Sequence, residues 1–287
     1  MPLPHRLFCF GFGYSAKALA AQLRPEGWEI SGTYRNLARD PGGPLVLFDA
    51  VRGLAPGALD RVTHLLISAP PDQAGDPVLR ACAAELVRRA GQFAWVGYLS
   101  TTGVYGDHHG GWVDETAELH PAPGRSAWRA SAEAQWLSLY RAHGLAVHIF
   151  RLAGIYGPGR NALVSAMAGK ARRIDAPGHL FSRIHVDDLA TTLTASILRL
   201  NPGAIYNVCD DEPAESAVVT AYACELAGIA APPLVALAQA ALSPMAQSFY
   251  QGSRRVDNSR IKRELGVALA YPGYREGLSA LWAGMRD

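Results

Sequence analysis

The sequence predicts a doubly wound, parallel α/β sheet with a small C-terminal lobe interleaved with it, and three observations carry that expectation. The first is an apolar strand, Leu7-Phe-Cys-Phe10, that runs straight into Gly11-Phe-Gly13-Tyr-Ser-Ala16 and on into the Ala/Leu-rich Lys17-Ala-Leu-Ala-Ala-Gln-Leu23. The second is the alternation of short apolar runs with helix-length segments as far as Phe150. Parallel strands joined by right-handed helical crossovers give that rhythm. The third is the loosening of the rhythm beyond Tyr156.

In chain order, Glu29-Ile-Ser-Gly-Thr33 is a second strand at βαβ distance from the first, and Leu45-Val-Leu-Phe48 and His64-Leu-Leu-Ile67 are short buried strands. A helix over about Pro77 to Arg89 leads into the strand Trp95-Val-Gly-Tyr-Leu99; a helix from about Arg125 to His143 precedes Val147-His-Ile-Phe150. Helical stretches near Ala162–Arg172, Asp187–Arg199 and Ala214–Leu226 are then interrupted by a lone strand, Ala204-Ile-Tyr-Asn-Val208. The C-terminal segment alternates Pro-marked loops with amphipathic helices, with no repeat or low-complexity linker. Residues 1–155 are therefore expected to form a dinucleotide-binding domain to which 183–210 return, and 156–182 and 211–287 a small, mainly helical substrate lobe.

In the glycine segment, Gly11 permits a tight strand-to-helix turn, Gly13 lets backbone N–H groups approach a pyrophosphate without a Cβ in the way, and Ala16 keeps the helix close to the sheet. The unpaired N–H groups and the positive end of the helix dipole make an anion site without any basic side chain. Gly11, Phe12, Gly13, Tyr14 and Ser15 are the candidate cofactor contacts, with Ser15 either capping the helix or adding a hydroxyl contact. The spacing alone is weak in a chain with 29 glycines, and its flanking strand and helix make it specific. Past the second strand, Thr33-Tyr-Arg-Asn36 offers no carboxylate for the 2′-hydroxyl of NAD, whereas Arg35 suits the 2′-phosphate of NADP, so NADP is favoured over NAD.

Composition narrows the partners. The 287 residues carry a net charge of +2, and no basic run or aromatic-interleaved patch points to nucleic acid. No charged-then-apolar leader is present and no apolar segment approaches the ~18 residues of a membrane span, so a cytoplasmic protein acting on a small molecule is expected. Cys9, Cys82, Cys209 and Cys224 form no C-x-x-C pair and read as buried hydrophobes. His108 and His109, with Asp107 and Glu115, lie on a Gly-rich loop that could cover a substrate, but further ligands at convergent spacing are missing, and no metal is expected.

Four ordered motifs, Gly11-x-Gly-x-x-Ala16, Leu99-Ser-Thr-Thr-Gly-Val-Tyr-Gly106, Phe150-Arg-Leu-Ala-Gly-Ile-Tyr-Gly-Pro158 and Arg183-Ile-His-Val-Asp-Asp188, make the chain similar to the extended short-chain dehydrogenase/reductases, the NAD-dependent epimerase/dehydratase relatives. Tyr206-Asn-Val208 and Tyr271-Pro-Gly-Tyr-Arg-Glu-Gly277 extend the resemblance over nearly the whole chain. It implies a Rossmann sheet, and a homodimer paired through two helices of the sheet domain. It also implies that Thr101 hydrogen-bonds the reacting carbonyl or alcohol, that Asp49 contacts adenine, and that Ser68 and Ala69 line the ribose-diphosphate side of the cofactor. His185 is implied to be structural, with Asp187 capping or opening the next helix.

One departure is large. The family's acid/base is a Tyr followed four residues later by a Lys that lowers its pKa, yet the positions four before Lys17, Lys170 and Lys262 are Gly13, Ala166 and Asn258. With Glu133 as the anchor, Arg125 and Arg129 replace the pair; a shifted alignment substitutes Trp128 and Ala132. Arginine stays charged and cannot shuttle a proton, though Arg129 can bind a ribose or phosphate. Arg160 is the candidate for an anionic or polyhydroxyl substrate, and Tyr105 is either a substrate contact or a packing residue. Two functions stay open: an NADP-preferring oxidoreductase or epimerase on a small carbonyl or hydroxyl substrate with a non-standard acid/base, or an inactive NADP(H)-binding sensor.

Overall fold

The computed structural model describes residues 5–34, 45–48, 50, 51, 53–242, 247, 250 and 252–286. Strands β1 (Arg6–Phe10), β2 (Glu29–Tyr34), β3 (Leu45–Leu47), β4 (His64–Ile67), β5 (Trp95–Thr101), β6 (Val147–Leu152) and β7 (Ile205–Val208) form one seven-stranded sheet. Its order is β7-β6-β5-β4-β1-β2-β3, with every pair parallel. Strand order reverses direction between β1 and β4, where open α/β sheets leave a crevice at the carboxyl ends of their strands.

Strands β1, β4, β5 and β6 are buried almost throughout, so they are apolar runs rather than alternating; β3, expected to be buried, is the edge strand of the sheet and leaves Leu45 and Val46 half-buried and Leu47 exposed. Along β5, Trp95 and Leu99 join the core beneath α1 (Tyr14–Leu23), while Val96 and Tyr98 join the opposite core with Cys82 of α2 (Pro77–Arg88) and Trp136 of α3 (Arg125–His143). Asp76 ties the second layer together. Its Oδ1 caps α2 by accepting from the Val78 and Leu79 N–H groups (2.9 and 3.0 Å), and its Oδ2 accepts from the Trp136 indole (3.2 Å). All four cysteines are buried and free, as their apolar surroundings predict.

The rest of the chain builds a third core from α4 (Ala162–Met167), α6 (Ser216–Leu226) and α7 (Tyr274–Ala283), through Leu163, Val219, Ala223 and Leu278. The helix expected over Ala162–Arg172 stops at Met167, because the Lys170 N–H turns back to the Ser165 carbonyl (2.9 Å), a helix-ending bond, and Arg173–Asp175 then pairs as a strand with Leu234–Ala236. Likewise α6 starts late, since Ala214–Glu215 pairs with Leu180–Phe181. Helix α5 (Val186–Leu198) is capped by His185, whose Nδ1 accepts from the Asp187 N–H (3.2 Å). Asp187 thus sits in the first turn and is not the cap.

Candidate functional site

The cradle at the end of β1 is fixed by backbone and hydroxyl contacts. The Gly11 N–H donates to Thr33 Oγ1 (2.8 Å), the Phe12 N–H to the Thr33 carbonyl (2.9 Å), and the Ser68 hydroxyl to the Gly11 carbonyl (2.6 Å). Gly11 has φ +91°, and a Cβ there would lie 2.9 Å from Ser68 Oγ and 3.2 Å from the Ala69 nitrogen. Gly13 is the N-cap of α1, with no side chain capping it. The Tyr14, Ser15 and Ala16 N–H groups are therefore left without helical partners, and the space a Gly13 Cβ would enter is empty to 4 Å. An open face before an uncapped helix N-terminus fits a dinucleotide's diphosphate. Ser15 lies inside the helix, which removes its capping role. Arg35 and Asp49 lie outside the described residues.

At the end of β5, Thr101 Oγ1 accepts from the Gly103 N–H (3.1 Å), which leaves its own proton free to donate. Ser126, in the first turn of α3, faces the same glycine: a Cβ on Gly103 would meet Ser126 Oγ at 3.1 Å and Thr101 Oγ1 at 3.3 Å. Arg129 is turned onto the strand. It donates to the Leu99 carbonyl, and its guanidinium lies 5.7 Å from the centre of the Tyr98 ring, so it braces the strand end that carries Thr101. Arg125 is exposed.

Beneath this edge runs a buried chain of polar groups. Glu133 accepts from Ser100 and pairs with Arg151 (2.9 Å); Arg151 donates to the Tyr105 hydroxyl (3.0 Å), which donates to Asn207 Oδ1 (2.7 Å). Tyr105 is 0% exposed and burial pushes its phenol up to about 12. Its hydroxyl is fully engaged, so it packs beneath the crevice instead of meeting a substrate.

Arg160 lies beside the glycine loop. The turn at 157–160 closes on itself through mutual Gly157 and Arg160 backbone bonds (3.0 and 3.1 Å), and the Tyr14 hydroxyl from the glycine loop donates to the Pro158 carbonyl (3.1 Å). Arg160 is exposed, with its guanidinium 5.9 Å from the Tyr14 ring centre, on the glycine-loop side of the crevice.

Residues 76–209, which carry Thr101 and this polar network, match the model of the NAD-dependent epimerase/dehydratase family. Over those residues the chain is similar to that family. It is 52% identical to a structure described as a functionally unknown conserved protein from Silicibacter pomeroyi, with a TM-score of 0.91 over 99% of this chain and 100% of that one. It is 28% identical to the protein YeeZ of Escherichia coli over 91% of this chain and 94% of YeeZ. In fold it is similar to dTDP-glucose 4,6-dehydratase from Bacillus anthracis, solved in complex with NAD, at 17% identity and TM-score 0.78, covering 99% of this chain and 97% of that one.

Within this epimerase/dehydratase fold, several residues escape a reading of motifs. Ser126 has no motif of its own; only the pairing of α3 with the turn after β5 brings it beside Thr101. Among the described residues no group of three or more His, Cys, Asp or Glu side chains could hold a metal, and no helix is long and apolar enough to cross a membrane.

Proposed function

We propose that the protein is an NADP-preferring oxidoreductase or epimerase acting on a small carbonyl or hydroxyl substrate, and that it is a cytoplasmic enzyme. The observation that carries this reading is the free Thr101 proton at the sheet's carboxyl edge, near the crevice that the open Gly13 face borders. When bound, the dinucleotide supplies hydride chemistry. The chain's own part is orientation: the Thr101 hydroxyl donates to the substrate oxygen, Arg129 holds the strand end and offers its unused N–H donors to a ribose, and Ser68 with Ala69 supports the diphosphate side. Arg35 is assigned to the 2′-phosphate.

The second reading, an NADP(H)-binding sensor without turnover, is favoured by one feature: no Tyr-x-x-x-Lys exists anywhere in the chain. Deuterium transfer from 4-deuterated NADPH across a panel of small carbonyl compounds separates the two. Label in a product establishes the oxidoreductase and inversion at a hydroxyl-bearing carbon the epimerase; tight NADPH binding with neither transfer nor inversion across the panel establishes the sensor. Cofactor choice is tested separately. Arg35→Ala is expected to lower the NADPH/NADH affinity ratio about tenfold or more, the scale of a lost charge-assisted pair, and an unchanged ratio refutes the assignment.

A further inference from the structure

The start of α3 carries a hydroxyl that the rest of the fold leaves uncommitted. Gly124, at φ +89°, turns the chain into the helix, which begins at Arg125. Ser126 and Arg129, three residues apart, then lie on one face of it. That face meets the turn after β5. A Cβ on Gly103 would stand between two hydroxyls, 3.1 Å from Ser126 Oγ and 3.3 Å from Thr101 Oγ1, and glycine keeps the space between them open.

The two hydroxyls differ in what they have left to give. Thr101 Oγ1 already accepts from the Gly103 N–H (3.1 Å), so its orientation is set. Ser126 is half-buried and, among the described residues, makes no hydrogen bond, so it can donate and accept at once. Other polar groups around this strand end are engaged elsewhere. Ser100 donates to Glu133, which pairs with Arg151, and the Tyr105 hydroxyl is spanned by Arg151 and Asn207. Asp76 caps α2 and accepts from the Trp136 indole. Arg129 donates to the Leu99 carbonyl, which fixes a permanent positive charge at the end of β5.

We infer that Ser126 is a catalytic residue: its hydroxyl joins that of Thr101 on the substrate's carbonyl oxygen and delivers the proton that completes reduction. This rests on the reading of Thr101 as the residue that orients the substrate. When hydride reaches the carbonyl carbon a C–H bond forms, the C=O π bond breaks and its electron pair moves to oxygen. That oxygen takes the Ser126 proton while Ser126 Oγ takes one from water, which leaves as hydroxide. A hydroxyl relays the proton in this way without becoming charged itself. The Arg129 guanidinium favours the negative oxygen as it develops.

The test compares unmutated protein with Ser126→Ala and Ser126→Thr in two measurements. The first needs no turnover: trifluoroethanol, a hydroxyl-bearing probe, is titrated by fluorine NMR into full-length protein saturated with NADP+. Millimolar binding is expected, weakened about fivefold by Ser126→Ala, the scale of one lost hydrogen bond, and restored by Ser126→Thr. The second uses a carbonyl compound that accepts label from NADPH. There Ser126→Ala is expected to lower kcat about 100-fold, as loss of a positioned proton donor does, with KM, NADPH affinity and melting temperature little changed, while Ser126→Thr keeps most of the rate. A merely structural serine would not give that split between kcat and KM. Equal probe affinity in Ser126→Ala, no probe binding by the unmutated protein, or label transfer at an unchanged kcat in Ser126→Ala overturns the inference, the last while leaving the oxidoreductase reading intact. Probe binding that depends on Ser126 without any label transfer or inversion refutes the oxidoreductase and epimerase reading and, with it, the proton-delivery step.

Discussion

The sheet edge and the lobe handle buried polarity in opposite ways. Beneath the edge, Ser100, Glu133, Arg151, Tyr105 and Asn207 satisfy one another in an unbroken series. Across the seam, both Asp210 oxygens, the Tyr274 hydroxyl, His185 Nε2, Ser253 Oγ and Arg254 Nε are buried without partners. Buried polar groups are normally paired because an orphan costs about 1–3 kcal/mol. The first arrangement holds the fold rigid; the second leaves donors and acceptors in reserve.

The largest expected effect breaks the saturated side. Arg151→Met leaves the Glu133 carboxylate buried without its cation and is expected to lower unfolding stability by about 3–5 kcal/mol in urea titrations; a loss below about 1 kcal/mol would show the pair to be dispensable. Next comes a change to function without a change to fold. A Cβ at Gly13 would meet no atom within 4 Å, so Gly13→Ala is expected to keep the wild-type melting temperature while NADPH affinity falls about 10-fold or more, from steric exclusion of the phosphates. A drop in both together would mean that the open face is structural.

The smallest effect sharpens the unsaturated side. Asp210 has a folded pKa of about 8 against about 3.9 for an unfolded carboxyl. A raised acid pKa destabilises the native state progressively as pH climbs from about 4 to about 8, because the unfolded chain ionises more readily. Asp210→Asn is expected to raise stability by about 1–2 kcal/mol at pH 8, with the gain shrinking toward pH 5; thermal melts across that range check the slope. A loss of stability at pH 8 would show that Asp210 is ionised and supports Arg183.

Strands β1, β4, β5 and β6 were legible because burial on both faces writes them as apolar runs, and the glycine loop because its spacing follows from phosphate geometry. The short pairings of the lobe were not: Arg173–Asp175, Ala214–Glu215 and Arg255–Val256 are two- or three-residue strands whose partners lie far away in sequence. Side-chain direction was hidden for the same reason. Arg160 looks like any other arginine in a sequence, and only the Tyr14–Pro158 contact puts it beside the glycine loop. Thr101 was proposed through its motif, whereas Ser126 came to notice only through the packing of α3.

The seventh strand has a consequence for synthesis on the ribosome. Every residue of β6, Val147–Leu152, is buried, and its outer edge is covered only by β7, Ile205–Val208, which is translated after the whole of α4 and α5. Until Val208 has emerged, a nascent chain displays an apolar strand with an unpaired row of N–H and C=O groups, a template for pairing with a neighbouring chain. A chaperone that shields Val147–Leu152 during this interval would guard the step at which the protein is most prone to aggregate.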